Sequence, residues 1–384
     1  MLKPSPTLSI AARANAMKAA GVDVISLSAG EPDFDTPISV RESAIQALNS
    51  GFTRYTPTSG MKELKEAISE KLMRENSVKA PADQIVVSSG AKQSLYNAMM
   101  VLLEPGDEVI LIAPYWATYA EQAMLAGAKA VVVHTDPANG FVPTIDQLKE
   151  AVSPKTKAIV INSPCNPTGA LFDRETMKGI AQLALRHGLW VISDEIYDRL
   201  VYGQAHVSIA SIGSEIAEQT VTIGGCSKSY AMTGWRIGFA AAPKPVIAAM
   251  GNLQDQVTSN ANSFAQKGAI TAFRLPDTEI EPMRAEFEAR RDMIVRLLRE
   301  IPQVDVALPN GAFYVLPDVS AYLGDKMADD MALSEHLLET AKIATVPGSV
   351  FEAPGHIRLS YAASRENISR GIERLASALQ ELKA

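Results

Sequence analysis

Between residues 84 and 243, short runs of Val and Ile alternate with helix-like stretches, and no other feature restricts the possible folds as strongly. The runs are Gln84–Ser88, Glu108–Ile112, Ala130–His134, Ala158–Asn162, Trp190–Asp194, Thr220–Gly224 and Ile237–Ala241. They are continuously apolar rather than alternating, which suits strands covered on both faces, and the helical spacers between most of them suit parallel crossovers. The pattern predicts an α/β unit: a mainly parallel sheet with helices on both faces. In the last third, amphipathic helices over Glu281–Glu300, Asp330–Lys342 and Arg365–Lys383 flank strand-like Asp305–Leu308, Phe313–Leu316 and Ile357–Tyr361, which predicts a small α+β unit. A long helical stretch from Ile247 through Arg274 joins the two, and 384 residues are enough for both.

Charge and cysteine content exclude several classes of function. The chain has 36 basic and 43 acidic residues, a formal net charge of -7, the wrong sign for neutralising nucleic-acid phosphates or acidic lipids. The longest stretches free of charged residues, Ala158–Phe172 and Leu200–Ser214, are 15 residues each and contain polar side chains, too short to cross a bilayer. Neither nucleic acid nor membrane is expected as a partner. The N-terminus has no apolar core of a signal peptide, and the two cysteines, Cys165 and Cys226, have no CxxC or metal-ligand spacing. A cytoplasmic protein without a metal site is expected.

In open α/β sheets, ligands bind beyond the carboxyl ends of the strands. Ser89-Gly90-Ala91-Lys92 follows the first run and opens a helix, so its free N–H groups and positive dipole end could cradle a phosphate. After the fourth run, Asn166 in an Asn-Pro-Thr-Gly turn offers an amide donor. Asp194 ends the fifth run, where a carboxylate needs a cationic or N–H partner. Beyond the sixth run, Lys228 sits in a small-residue turn where desolvation would make its amine nucleophilic, and Arg236 follows eight residues on. Each feature alone has an ordinary alternative: an empty turn, an Asn-Pro turn, a helix cap, a solvated lysine. Together they match pyridoxal phosphate, whose aldehyde takes a lysine, whose pyridinium nitrogen takes a carboxylate, and whose phosphate takes N–H groups and Arg.

The chain resembles the class I and II aminotransferases, the fold-type I pyridoxal phosphate enzymes, and within them the bacterial-type aspartate aminotransferases. The resemblance rests on Ala29–Phe34 (AGEPDF), Tyr55-Thr56-Pro57 with Gly60, Pro114-Tyr115-Trp116, Asn166–Gly169, Asp194–Tyr197 (DEIY), Ser227-Lys228 through Gly238, and Ile357–Tyr361, in this order along nearly the whole chain. It implies that Lys228 is the Schiff-base lysine and proton carrier, that Asp194 pairs with the pyridinium nitrogen, and that Asn166 and Tyr197 donate to the ring's phenolate oxygen. It further implies that Trp116 packs on the ring, that the backbone of Gly90, Ala91 and Lys92 and the side chain of Arg236 hold the phosphate with Tyr55 of the partner subunit in a homodimer with shared sites, and that Arg358 clamps the substrate's α-carboxylate with Gly30 closing over it.

Two departures from the family pattern stand out. Gly225 replaces a phosphate-binding Ser of some members, with Ser227 a nearby hydroxyl, and no Arg for a distal carboxylate occurs within Leu253–Gln266. In the bacterial-type subgroup a lysine matched by Lys92 takes that task, with Thr7 a second candidate. The activity implied is transfer of the amino group from L-aspartate to 2-oxoglutarate by a ping-pong cycle. The alternatives are an aromatic or prephenate aminotransferase and, further off, a lyase using the same cofactor. The resemblance divides the chain into a large cofactor unit, 40–280, and a small unit built from 1–39 and 281–384. Cys226, beside the lysine, reads as a packing residue.

Overall fold

A computed structural model of the chain describes residues 6–324 and 326–383. The strands, in chain order, are β1 (Ile25–Ser26), β2 (Ile85–Ser88), β3 (Glu108–Ala113), β4 (Lys129–His134), β5 (Thr156–Asn162), β6 (Trp190–Asp194), β7 (Thr220–Gly225), β8 (Gly238–Ala241), β9 (Tyr314–Val315), β10 (Ile343–Ala344), β11 (Val346–Pro347) and β12 (Ile357–Ser360). β2 to β8, one from each apolar run, form a seven-stranded sheet in the order β2-β8-β7-β6-β5-β3-β4. β3 to β7 are mutually parallel, while β8 runs antiparallel to both its neighbours, β2 and β7. β2 therefore points the same way as β7, and six strands deliver their carboxyl ends to one edge.

The continuous apolar runs have the expected cause. Ile85 and Val87 join one buried cluster while Val86 joins another on the opposite face, and Val109 and Leu111 are divided from Ile110 and Ile112 in the same way. With both faces covered, each such apolar side chain contributes about 2 kcal/mol of burial. Helices lie over both faces; that of Ala91–Leu102 buries Leu95, Ala98, Met99 and Leu102 against the sheet side that holds Val86.

The last third departs from expectation in three places. Asp305–Leu308 is not a strand: only an isolated bridge from Asp305 to Asp318 forms, because the Asp305 side chain takes the Val306 N–H at 2.8 Å. The stretch 247–274 is two helices, Lys244–Val257 and Ser263–Phe273, with Ser259 left-handed between them and Asn262 capping the second by accepting from Ala265 N. The helix over Asp330–His336 continues as a π turn over Leu337–Ala341. β9 and β12 occupy the other two strand-like runs and pair antiparallel, with β11 beyond. β1 pairs in parallel with β10, Ile25 opposite Ile343, a link no short-range pattern announces.

Gly238 on β8 marks the tightest approach in the sheet. A Cβ there would lie 2.2 Å from Ala91 N and 2.3 Å from the carbonyl carbon of Gly90. Backbone cannot yield as a side-chain tip does, so Gly238→Ala is expected to lower stability by about 3 kcal/mol, read as a fall in the urea midpoint. A midpoint equal to that of the unmodified chain would refute the clash.

Candidate active site

At the carboxyl edge of the sheet lies a cleft of about 220 Å³ lined by Gly30, Ala91, Lys92, Trp116, Asn166, Asp194, Tyr197, Lys228, Arg236 and Arg358. Most of the residues singled out in the sequence meet there, drawn from the ends of β2, β3, β5, β6 and β7 and from both ends of the chain. Tyr55 is not in this cleft and is 90% exposed. The side chain of Thr7 lies outside the described residues. The lining also includes Ser227, the hydroxyl noted beside the lysine, and residues that the sequence did not single out: Tyr119, Asn162, Ile196, Thr233 and Tyr314.

Asp194, the last residue of β6, is 2% exposed. Burial raises its carboxyl pKa to about 6 against the pull of a hydrogen bond from Tyr119 Oη at 2.7 Å and another from Ile196 N at 3.2 Å. Tyr119 lies three residues after Trp116, at the entry to the helix Thr118–Leu125, where its N–H donates to the Trp116 carbonyl at 3.0 Å; that spacing is the one signal that could have revealed it. Asn162 ties the neighbouring strand end in place: its Nδ2 donates to the Asp194 carbonyl and its Oδ1 accepts from Asn166 N. Asn166 Oδ1 in turn accepts from Arg358 Nη1 at 2.9 Å, which leaves its Nδ2 as the donor available to a ligand. Tyr197 and Tyr314 share a hydroxyl contact at 3.0 Å, and burial lifts both phenols, so they stay neutral donors.

Lys228 lies beyond β7 and donates to the Gly30 carbonyl. Burial lowers its pKa to about 8; Glu31 and Asp194 oppose that shift, and Arg236 and Arg358 add to it. About a tenth of the amine is therefore uncharged at pH 7, far more than in a free lysine. Arg236, left-handed at φ 57°, donates to the Thr233 carbonyl at 2.9 Å and lies against Gly90, where a Cβ would come within 2.3 Å of its Nη2. That glycine lets the guanidinium reach the N-terminus of the helix Ala91–Leu102. The position of Gly225 is equally tight: a Cβ would meet Ile237 O at 2.8 Å, so a serine does not fit there, whereas Ser227 does line the cleft.

Arg358 is 2% exposed, lies over the rings of Tyr314 (4.4 Å) and Phe351 (5.0 Å), and donates through Nη2 to Ser28 O at 2.9 Å. Its Nε is buried without a partner among the described residues. Lys92 stands 4.7 Å from the Trp116 ring centroid, and desolvation, then Arg236, lowers its pKa.

The family model for "Aminotransferase class I and II" matches residues 22–375. The chain belongs to this aminotransferase family. It is 49% identical to a probable aspartate/prephenate aminotransferase of Aquifex aeolicus over 99% of this chain and 97% of the relative. It is 47% identical to an aspartate aminotransferase of Geobacillus stearothermophilus over 97% and 96%. Among solved structures, the aspartate aminotransferase of Thermus thermophilus with maleate superimposes at a TM-score of 0.94, with 42% identity and 98% and 97% coverage. The fold-type I architecture and pyridoxal phosphate dependence of aminotransferases thus apply to this chain. Its residues suit that cofactor on their own terms: a buried carboxylate awaiting a cation, a lysine held partly neutral, and a helix N-terminus beside an arginine. Among the described residues no helix is long and apolar enough to cross a membrane, and no cluster of three His, Cys, Asp or Glu could hold a metal ion.

Proposed function

We propose that this aminotransferase moves the amino group of L-aspartate to 2-oxoglutarate, giving oxaloacetate and L-glutamate in a ping-pong cycle. The observation that carries the reading is the cation arrangement: Lys92, Lys228, Arg236 and Arg358 line a cleft whose one lining carboxylate is Asp194. Arg236 faces the helix N-terminus, which leaves Arg358 and Lys92 to hold the two carboxylates of a dicarboxylic acid. The Thermus relative, solved with the dicarboxylate maleate, supports this reading. A second activity on prephenate is favoured by the name of the Aquifex relative. Prephenate too carries two carboxylates and would use the same pair of cations.

Asp194 would hold the pyridinium nitrogen, Asn166 Nδ2 and Tyr197 Oη the ring oxygen, Trp116 a ring face, and the backbone of Gly90, Ala91 and Lys92 with Ser227 and Arg236 the phosphate. When bound, pyridoxal phosphate supplies an aldehyde for the amino group and a ring that accepts the electron pair of the α-carbon. Lys228 Nζ, partly neutral, takes the proton from the α-carbon of the substrate. Arg358 fixes that carbon by gripping the α-carboxylate with its planar fork, and the Tyr314 and Phe351 rings keep the guanidinium from swinging away. Gly30 contributes its carbonyl as a resting partner for the Lys228 amine.

Residues 40–280 would form the large unit and 1–39 with 281–384 the small one, a division supported by the β1–β10 pairing. A homodimer in which Tyr55 completes the partner's phosphate site is supported by its 90% exposure and by the exposed Ile38, Ile45 and Leu48 on the helix Ile38–Asn49 nearby in sequence. Two buried free cysteines suit the cytoplasm. The test of substrate class is Lys92→Ala. It is expected to cut kcat/KM for aspartate and 2-oxoglutarate by about 100-fold, on the order of 3 kcal/mol for a lost charge partner, while alanine, with one carboxylate, changes less than about threefold. Equal losses on both would overturn the dicarboxylate assignment.

A further inference from the structure

Two carboxylates of the segment Asp194–Asp198 do not line the cleft. Glu195 and Asp198 lie beneath it in a polar network. Glu195, 3% exposed, accepts from Ser193 Oγ at 2.9 Å, Ser208 Oγ at 2.7 Å, Asn76 Nδ2 at 3.1 Å and His206 Nε2 at 3.0 Å. Asp198 pairs with the buried Lys71 ammonium and accepts from Asn76 Nδ2 and Ser229 Oγ, both at 3.3 Å. Lys71 also donates to Asn76 Oδ1 at 2.6 Å and lies 3.6 Å from Glu75 Oε2. Arg199 closes the far side, donating to Glu75 Oε1 at 3.2 Å.

Stability alone is a poor reason for such a network, because desolvating several charges costs about as much as their pairing returns, and apolar side chains of similar volume would pack there at least as well. What such a network does supply is fixed geometry where its groups are partnered, as the Glu195 and Asp198 carboxylates are, while Glu75 Oε2 and His206 Nδ1 at its margin have no hydrogen-bond partner among the described residues. This one touches both halves of the catalytic machinery. Residues 193–199 carry Asp194 and Tyr197, and Ser229 is the chain neighbour of Lys228. Both are tied to the same helix, Lys62–Asn76, through Lys71 and Asn76. The Lys228 turn needs outside support: its Ala231 is left-handed at φ 51°, a conformation that an alanine holds only where its surroundings enforce it.

We propose that Asp198, acting through Ser229, is a positioning residue that fixes the Lys228 turn against the Asp194–Tyr197 stretch, with Lys71 and Asn76 holding Asp198 in place. The hydrogen bond from Ser229 Oγ is the one side-chain link between Asp198 and this turn among the described residues, so Ser229→Ala cuts the coupling and spares the ion pair, whereas Asp198→Asn weakens both. The assignment rests on Lys228 being the proton carrier.

The experiment compares Ser229→Ala and Asp198→Asn with the unmodified holoenzyme. Each is expected to lower kcat for aspartate about tenfold with KM within about twofold, the pattern of a displaced acid–base group rather than a damaged binding site. The kinetic isotope effect with α-deuterated aspartate should rise in both, since proton transfer becomes slower relative to the other steps. In the cofactor-free protein, amide hydrogen exchange over residues 227–231 should quicken about tenfold in Ser229→Ala, as the turn opens more often. A Ser229→Ala protein with unchanged kcat, isotope effect and exchange overturns the proposal, even if Asp198→Asn fails to fold. If the unmodified enzyme turns over without any α-deuterium effect and carries no modifiable Lys228, the proton-carrier reading fails instead. The exchange measurement then decides the positioning role separately.

Discussion

Lys228→Ala is expected to lower transamination by about 10⁴-fold or more, the scale of a lost acid–base group that no neighbour replaces. The variant should still bind pyridoxal phosphate, because Asp194, Arg236 and the Ala91–Leu102 helix N-terminus are untouched. Borohydride treatment followed by peptide mapping should mark the unmodified chain at Lys228 and leave the variant unmarked. A reducible adduct on another lysine would refute the assignment. The pH dependence has a definite sign. Burial holds the folded amine near pKa 8, below the roughly 10.4 of a free lysine, so the reactive neutral form grows as pH rises through about 8. The rate at which the cofactor-free protein reacts with an added aldehyde should follow that rise. The same shift makes the folded state bind fewer protons than the unfolded one between about pH 8 and 10.4, so this group's penalty on stability fades across that window as pH rises.

Arg358→Lys is the second large effect. A lysine keeps the charge but not the planar fork, and its ammonium cannot reproduce both the Asn166 and Ser28 contacts while also gripping a carboxylate. The loss expected is roughly 3 kcal/mol, about two orders of magnitude in kcat/KM for every amino acid substrate, mono- or dicarboxylic. A simple amine without a carboxylate should react with the variant and the unmodified enzyme at similar rates. An equal loss for that amine would mean that Arg358 supports the fold of the site rather than the substrate. The contrast with Lys92→Ala, which separates mono- from dicarboxylic acids, tells the two cations apart.

The large sheet was legible because strands covered on both faces are built mostly of apolar residues, so runs such as Glu108–Ile112 and Ala158–Asn162 announce themselves. The direction of β8 was not. The connection from β7 is occupied by the Lys228 turn and a short 3₁₀ turn over Thr233–Trp235, with no crossover helix, so the chain returns antiparallel. Residues whose chemistry is carried by a strand end, such as Asp194, could be placed from the pattern and the family resemblance. Those that act through a neighbour could not: Tyr314 matters by meeting Tyr197, and Ser28 by offering a carbonyl to Arg358. A hydroxyl or a carbonyl becomes informative only when the fold shows what it faces. Asp305 fails for the opposite reason, since its local side-chain bond to Val306 N outcompetes the ladder that the apolar run invites.

The parallel pairing of β1 with β10 has a consequence for biosynthesis. A chain emerging from the ribosome completes β2 to β8, with Asp194 and Lys228 among them, once residue 241 is out, whereas Ile25 and Ser26 must wait for Ile343 and Ala344, and Ser28 for Arg358. During that interval the segment 25–28 carries unpaired backbone groups and apolar side chains, the kind of surface that chaperones shield and wrong partners capture. The first strand to be made is thus among the last to find its place.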